Sequence, residues 1–370
     1  MSNPAPDITD NSYIVKEKMR ASYQHHTLRK LFIILALAGI LFLLCLYGLS
    51  VGGASYNIAE SWNAIVSGVG KSIEEMELPH QILWQLRIPR VLMAVVSGIG
   101  LAVAGLMMQT ILRNPLASPY TLGISAAASF GAALAIVMRT GVTAFLPIVV
   151  PYDYLISANA FFFTFLSTFA IYLLSKSQKV TPETIVLFGV AVSYVFSAGS
   201  SLLQYIGNSD ELAALAYWMF GSLGKANWGK LGICSIVVLL VVLLAYRKAW
   251  DFNSLMLGDE SAKSMGIHVE RLRVMGLLLA SLTTAVIVSM LGPIGFIGLV
   301  APHLGRILVG GDQRYLMPIS CLLGAILLVL ADTFARTVMS PVVIPVGIFT
   351  SVVGVPLLIY LIMKRRTEHW

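Results

Sequence analysis

The sequence predicts an all-α integral membrane protein with about ten transmembrane helices. Three observations predict it. Of the 370 residues, 57% are hydrophobic and only 12% charged, with a mean hydropathy of +0.83, far outside the range of soluble globular chains. Apolar runs of about twenty residues recur, the length an α-helix needs to cross about 30 Å of hydrocarbon, whereas a β-barrel would show short alternating strands. Lysine and arginine are also distributed unevenly between the connecting segments, as a fixed orientation requires.

Taken in order, residues 1–28 are polar, 29–365 form one membrane domain and 366–370 are a short tail. The first apolar run, 28–50, is too long for a signal-peptide core and lacks a convincing cleavage site, so it is expected to remain as an uncleaved span. Hydropathy places spans near 29–49, 91–112, 119–138, 155–175, 183–203, 230–247, 272–291, 294–310, 315–335 and 344–363. An even number puts both termini on one side. With that side cytoplasmic, 18 of the 25 Lys and Arg residues lie inside and seven outside, so the positive-inside rule predicts cytoplasmic termini. The net charge of +7 is mostly this topology signal, and no nucleic-acid partner is implied.

Two helices are expected on the outer surface. Asn57 with Glu60 makes a capping box before Trp62, Ile65, Val66 and Val69, which share one helical face. Asn208 with Glu211 makes a second, and Gly221 closes that helix. The fifth span opens on Thr181, Pro182 and Glu183, a good helix start. The longest cytoplasmic connection, 251–270, carries a possible cap at Asn253 or Ser254, apolar Leu255, Met256, Ala262 and Met265, and breaks at Gly258 and Gly266. It reads as two short helices, forming either a solvated loop or a docking surface.

Candidate chemistry is sparse. GVGKS at 68–72 has the end of a phosphate-binding loop, but it lacks the leading glycine, where Ile65 stands, and a preceding strand, so no nucleotide site is predicted. The six histidines are scattered, and His303 reads as a helix-terminal polar contact. Cys45, Cys234 and Cys321 each lie in an apolar run and read as small core residues. Asp332 is the one clear acid within a span, four residues before Arg336 and able to pair with it. An ion-coupled secondary transporter would need intramembrane acid–base pairs, and the sequence offers too few.

The stretch GPIGFIGLVAPHLGR at 292–306 concentrates glycine and proline in a short eighth span interrupted by Pro302. Broken helices of this kind line transport pathways, where packed protein or water satisfies the freed backbone. A layout echo occurs 178 residues earlier at Pro115 in LRNPLASPYTLG, and the opposite starting directions of the two halves suggest an inverted repeat. The small residues of SGIGLAVAG and GISAAASFGAA permit close helix packing.

The stretches 87–131, 257–267 (LGDESAKSMGI), 292–306 and 330–336 (LADTFAR) resemble the FecCD/cobalamin-type permease subunits of type II ABC importers, which take up iron-siderophore, haem or cobalamin. The resemblance runs from about residue 30 to 365 and implies the type II importer permease fold. It implies a membrane-embedded homodimer, two cytoplasmic ATPase subunits that use ATP and Mg, and an extracytoplasmic substrate-binding protein. This chain itself would bind no cofactor or metal and catalyse no reaction. The 251–270 loop would be the ATPase coupling element, through Leu255, Met256, Leu257, Gly258, Asp259, Glu260, Ser261, Ala262, Met265 and Gly266. Arg87, Arg90 and Arg336 match binding-protein docking positions, the reading preferred over anchoring of Arg87 and Arg90 at lipid headgroups and retention of Arg336 by Asp332. The pathway would follow the fifth and tenth spans, with Gly347, Thr350, Ser351 and Gly354 as small wall residues. An iron chelate in the inner membrane is the leading cargo, ahead of cobalamin.

Overall fold

Helices form where the apolar runs are long enough to satisfy every backbone group internally. The computed structural model describes residues 8–51, 62–63, 66–67, 76–141, 151–177 and 182–364. Its membrane helices are α1 (Ile8–Ser50), α2 (Ile88–Ile111), α3 (Ile124–Met138), α4 (Tyr152–Ser177) and α5 (Pro182–Ile206), followed by a short helix, α6 (Ser209–Met219). They continue with α7 (Trp228–Arg247), then α8 (Ala249–Met256) and α9 (Asp259–Ser264) in the long connection, then α10 (Val269–Leu291), α11 (Ile297–Val309), α12 (Gln313–Thr337) and α13 (Val346–Lys364). Each of the ten expected spans has its helix. Seven are long and apolar enough to cross a membrane alone, while α3, α11 and the apolar part of α13 are shorter.

The boundaries differ from hydropathy in instructive places. The polar stretch after Ile8 continues α1, which at 43 residues reaches about 65 Å, roughly twice the hydrocarbon thickness. The third span starts at Ile124 rather than 119, because Ser118 caps a 3₁₀ turn over Pro119–Leu122 and Gly123, at φ +77°, redirects the chain. The second is preceded by a helical turn, Leu78–Ile82, and a π turn, Leu83–Arg87. Pro89 has no N–H to offer the preceding turn, and the Trp228 indole N–H donates to the Trp84 carbonyl there at 3.0 Å. The outer helix expected over 57–69, the GVGKS stretch and Thr181 lie almost entirely outside the described residues; Trp62, Asn63, Val66 and Ser67 are helical.

The buried hub is α2, packed against α12, α10, α11 and α7. Its glycines make that density possible. A Cβ on Gly98 would stand 2.4 Å from the Gly324 carbonyl oxygen of α12, and one on Gly105 would stand 1.8 Å from that of Gly298 on α11. Backbones therefore meet directly, the close approach that small residues permit between membrane helices. By contrast, only 17% of the apolar window of α5 is buried, so most of this helix lies on the outside of the single chain.

Outside the bundle core, α6 is capped as its sequence predicts. The Asn208 side chain accepts from the Glu211 N–H at 2.9 Å, the Glu211 carboxylate accepts from the Asn208 N–H at 3.0 Å, and Gly221 takes φ +66°. The long connection does form two short helices, with Gly258 at φ +117° and Gly266 at φ +81° as the breaks. The cap is a correction. α8 starts at Ala249 with no side-chain cap, so neither Asn253 nor Ser254 opens it, and Asn253 reaches the start of α12 instead.

Candidate functional site

The glycine–proline stretch is a knot of irregular backbone between α10 and α11. Gly292 stands at φ +82° and Phe296 at φ +67°, a left-handed conformation that costs a side-chain-bearing residue energy and marks the turn as enforced by its surroundings. Buried amides and carbonyls here need partners, and the rest of the chain supplies them. The Ser222 N–H donates to the Leu291 carbonyl at 2.8 Å. Tyr120, from the echoing stretch after α2, donates its hydroxyl to the Ile294 carbonyl at 2.8 Å and accepts from the Ile294 N–H at 3.0 Å. The two proline-bearing stretches thus meet through one phenol.

Within α11, Pro302 cannot donate to the carbonyl four residues earlier, that of Gly298. Gln109 of α2, itself buried, turns its amide toward the freed site, donating to the Gly298 carbonyl at 3.4 Å and the Leu299 carbonyl at 3.3 Å. Its own oxygen accepts from Arg306 at 3.3 Å. Next to it, Thr110 accepts from the buried Gln313 amide at 3.0 Å.

The small residues of α13 face this knot. Gly347, Thr350 and Gly354 are buried and Ser351 half-buried. A Cβ on Gly347 would lie 2.2 Å from the Phe220 carbonyl oxygen, and one on Gly354 would lie 2.2 Å from Cγ of Phe296. Thr350 and Ser351 return their hydroxyls to the Gly347 carbonyl at 3.1 and 2.8 Å. In the single chain Gly347 and Gly354 are therefore seats for neighbouring elements, while Thr350 and Ser351 bond within their own helix. The open face of α13 carries Ile348, Val352, Val353, Val355 and Ile359, and that of α5 carries Leu187, Tyr194, Val195, Leu202 and Tyr205.

At the end of the bundle where α1 stops and α2 starts, the three singled-out arginines converge on one another's elements. Arg90 makes a bidentate pair with buried Asp332, at 2.8 to 3.1 Å. Arg336 places Nε 3.0 Å from the same carboxylate, without hydrogen-bond alignment, and donates to the Gly48 and Val51 carbonyls at 2.9 and 2.8 Å. Arg87 donates to the Leu49 carbonyl at 2.8 Å. Asp332 thus pairs with Arg90 across helices as well as with Arg336 along its own. Together the three guanidiniums occupy the end carbonyls of α1 and the one buried acid of α12, and Arg87 and Arg336 are largely buried. On the same end, burial pushes the Lys225 ammonium down to about 8, the nearby Lys230 charge acts in the same sense, and its Nζ lies over the Trp218 ring at 5.6 Å.

At the opposite end, α8 and α9 form a platform tied into the core. Phe252, Leu255 and Ala262 are buried in the same apolar cluster as Leu106, Met108 and Ile111 of α2. Leu257, Glu260, Ser261, Met265 and Gly266 are exposed, with Met256, Gly258 and Asp259 between these extremes. Asn253 donates to Asp312 at 2.9 Å and accepts from the Gln313 N–H at 2.8 Å. Burial opposes ionisation of Asp312, but hydrogen bonds from Arg314 and Asn253 outweigh it and hold the carboxyl down at about 2. An open depression of about 460 Å³ adjoins the platform, lined by Lys263 and residues 266–271.

A family model of the FecCD transport family matches residues 40–364, nearly the whole membrane domain. The chain belongs to the FecCD family. Among FecCD-like relatives, it is 45% identical over 92% of its length to MJ0087 of Methanocaldococcus jannaschii, named as an ABC transporter permease, covering 97% of that protein. It is 36% identical to the hemin transport permease HmuU of Yersinia pestis, with 89% of this chain and 95% of that one covered. A solved metal-chelate type ABC transporter in an inward-facing conformation shares the fold, with a TM-score of 0.77 and 29% identity over 90% of this chain and 99% of that one. The type II importer permease fold expected from the motifs is thus the fold this FecCD chain has, and it is a multi-pass membrane protein.

Sequence reasoning passed over Tyr120, Gln109, Gln313, Arg113 and Asp312. A signal existed for Gln109, a lone amide deep in an apolar run, and for Gln313, which opens one. Nothing local connects Gln109 with Pro302, because their helices cross only in the folded chain.

Proposed function

We propose that this chain is the permease subunit of an ATP-driven importer that carries a ferric chelate, siderophore or haem, across the cytoplasmic membrane. Two copies would form the translocation unit. ATP and Mg would be used by two ATPase subunits beneath the α8–α9 platform, and a substrate-binding protein would dock on the opposite end. The observation that carries the reading is a family match over residues 40–364 together with a platform that both anchors in the core and presents apolar side chains. Leu255 and Ala262 root it in the core, while Leu257 and Met265 are offered outward. The excess of Lys and Arg on the platform side supports cytoplasmic termini.

The route would run between two copies along the open faces of α5 and α13. Gly347, Thr350, Ser351 and Gly354 would be the small residues of that wall. A weakly interacting, uncharged lining suits a bulky chelate, since a tight midway site would trap it. For docking, Arg90 is the most available of the three arginines, and a carboxylate on the binding protein would compete with Asp332 for it.

The test is purification of the tagged chain from its native membrane, followed by uptake assays in proteoliposomes with hemin, a ferric hydroxamate, ferric citrate and cobalamin. Co-purification of an ATPase and ATP-dependent uptake of an iron chelate support the proposal. Uptake of cobalamin alone replaces the cargo, and uptake driven by an ion gradient without an ATPase refutes it.

A further inference from the structure

The platform is held to the bundle by apolar burial, by Asn253 and Trp250 of α8 against Asp312, Gln313 and Arg314 at the start of α12, and by a charged joint at the start of α9. Arg113 follows the last turn of α2 and stands at φ +45°, a left-handed conformation that turns its side chain away from the helix end. Its Nε donates to the Leu255 carbonyl of α8 at 3.1 Å, and its terminal nitrogen pairs with the Asp259 carboxylate at the start of α9. From the other side, Arg273 of α10 donates to the same Asp259 oxygen at 2.9 Å. One carboxylate is thus gripped by one arginine from the turn after α2 and one from α10, and it sits beside the Gly258 break at φ +117°. Four residues back in the chain lies Gln109, whose amide donates to the Gly298 carbonyl freed by Pro302 and to the neighbouring Leu299 carbonyl. The joint and the broken helix are therefore separated along the chain only by the final residues of α2 and the turn through Leu112 and Arg113 that ends it.

We infer that Asp259 is a positioning residue that transmits displacement of the α8–α9 platform through Arg113 to Gln109 and the broken α11. The inference rests on the permease reading above. Phe252, Leu255 and the Asn253 bonds fix α8 to the bundle, and Asp259 ties the start of α9 to it. The arginine clasp makes displacement of the platform pull on the end of α2, because Arg113 holds both the α8 carbonyl and the α9 carboxylate. Coupling between separated elements needs such a contiguous set of contacts and a measurable dependence of one site on the other.

The experiment uses the full complex of this chain with the ATPase that co-purifies with it. Hydrogen exchange is measured with and without ATP plus vanadate, in wild type, Asp259→Asn and Asp259→Glu. In wild type, nucleotide trapping alters exchange both in 249–266 and in 292–306. In Asp259→Asn the change in 249–266 persists, while that in 292–306 falls at least about fivefold, the lower end of typical coupling. Asp259→Glu, which keeps the charge, restores most of it. Unaltered transmission to 292–306 in Asp259→Asn overturns the inference. Loss of the ATPase from that variant also overturns it, since Asp259 would then be a docking contact rather than a joint. A wild-type chain that recovers no ATPase refutes the parent reading, a result separable from either variant outcome.

Discussion

Replacing Gly105 by alanine tests whether backbone contact at α2 sets the position of the broken helix. The added Cβ would lie 1.8 Å from the Gly298 carbonyl oxygen and 2.4 Å from its carbonyl carbon, both backbone atoms that cannot rotate away. Ordinary contact begins near 3.4 Å, so α2 and α11 must part by about 1.5 Å at the crossing. That displacement also stretches the Gln109 bonds to Gly298 and Leu299, which are already 3.4 and 3.3 Å long. Two effects oppose each other. Alanine gains about 1 kcal/mol of helix propensity over glycine, whereas overpacking a close-packed interior costs about 1–3 kcal/mol and losing a membrane hydrogen bond about 0.6 kcal/mol more. The steric term should win, because it falls on two rigid backbones, giving a net loss of about 2 kcal/mol. Unfolding in detergent can be followed with a thiol-reactive dye, since Cys234 and Cys321 are buried and report opening of the core. Gly232→Ala is the control, because nothing lies within 4 Å of its added Cβ and it should unfold no earlier than wild type. If Gly105→Ala melts with the control, the α2–α11 contact does not constrain the fold as argued.

Other perturbations reach separate parts of the molecule. Asp332→Ala leaves Arg90 and Arg336 without their shared acid and should destabilise by about 3–5 kcal/mol, read as a large fall in dye-monitored melting temperature, whereas an unchanged melt would make the pair superficial. Tyr120→Phe strips both partners from Ile294 and should cost about 1–3 kcal/mol by the same assay, with no added steric change to blur the result. Asp312 is held down at about 2, below the unfolded value of about 3.9, so its stabilisation is complete above about pH 4 and fades as pH falls toward 2. Melting followed by intrinsic fluorescence should show wild type losing its advantage over Asp312→Asn across that acid window, and a constant difference down to pH 2 would contradict the assignment. Gly354→Leu should push Phe296 from its seat and lower stability or shift the resting position of α13, detectable as faster hydrogen exchange over 346–356.

The sequence by itself determined the helices, their order and the family, because crossing hydrocarbon demands long apolar runs and because GPIGFIGLVAPHLGR and LGDESAKSMGI are local strings. Caps followed the same logic: Asn208 and Glu211 are three residues apart and satisfy each other without outside help. What only the tertiary structure decided is direction and partnership. Gly347, Thr350 and Gly354 share a helical face, but whether that face meets a pathway or a neighbour depends on where Phe220 and Phe296 come to rest. Asp332 and Arg336 could be paired from their spacing along one helix, but Arg87 and Arg90 read as surface cations, and only packing brings the end of α1 to Arg87 and Arg336 and Asp332 to Arg90. The bond missing at Pro302 is local, and the amide of Gln109 that makes it good stands 193 residues earlier in the chain. Hydropathy and motif are properties of neighbours in sequence, whereas burial and hydrogen-bond partners are set by which helices cross.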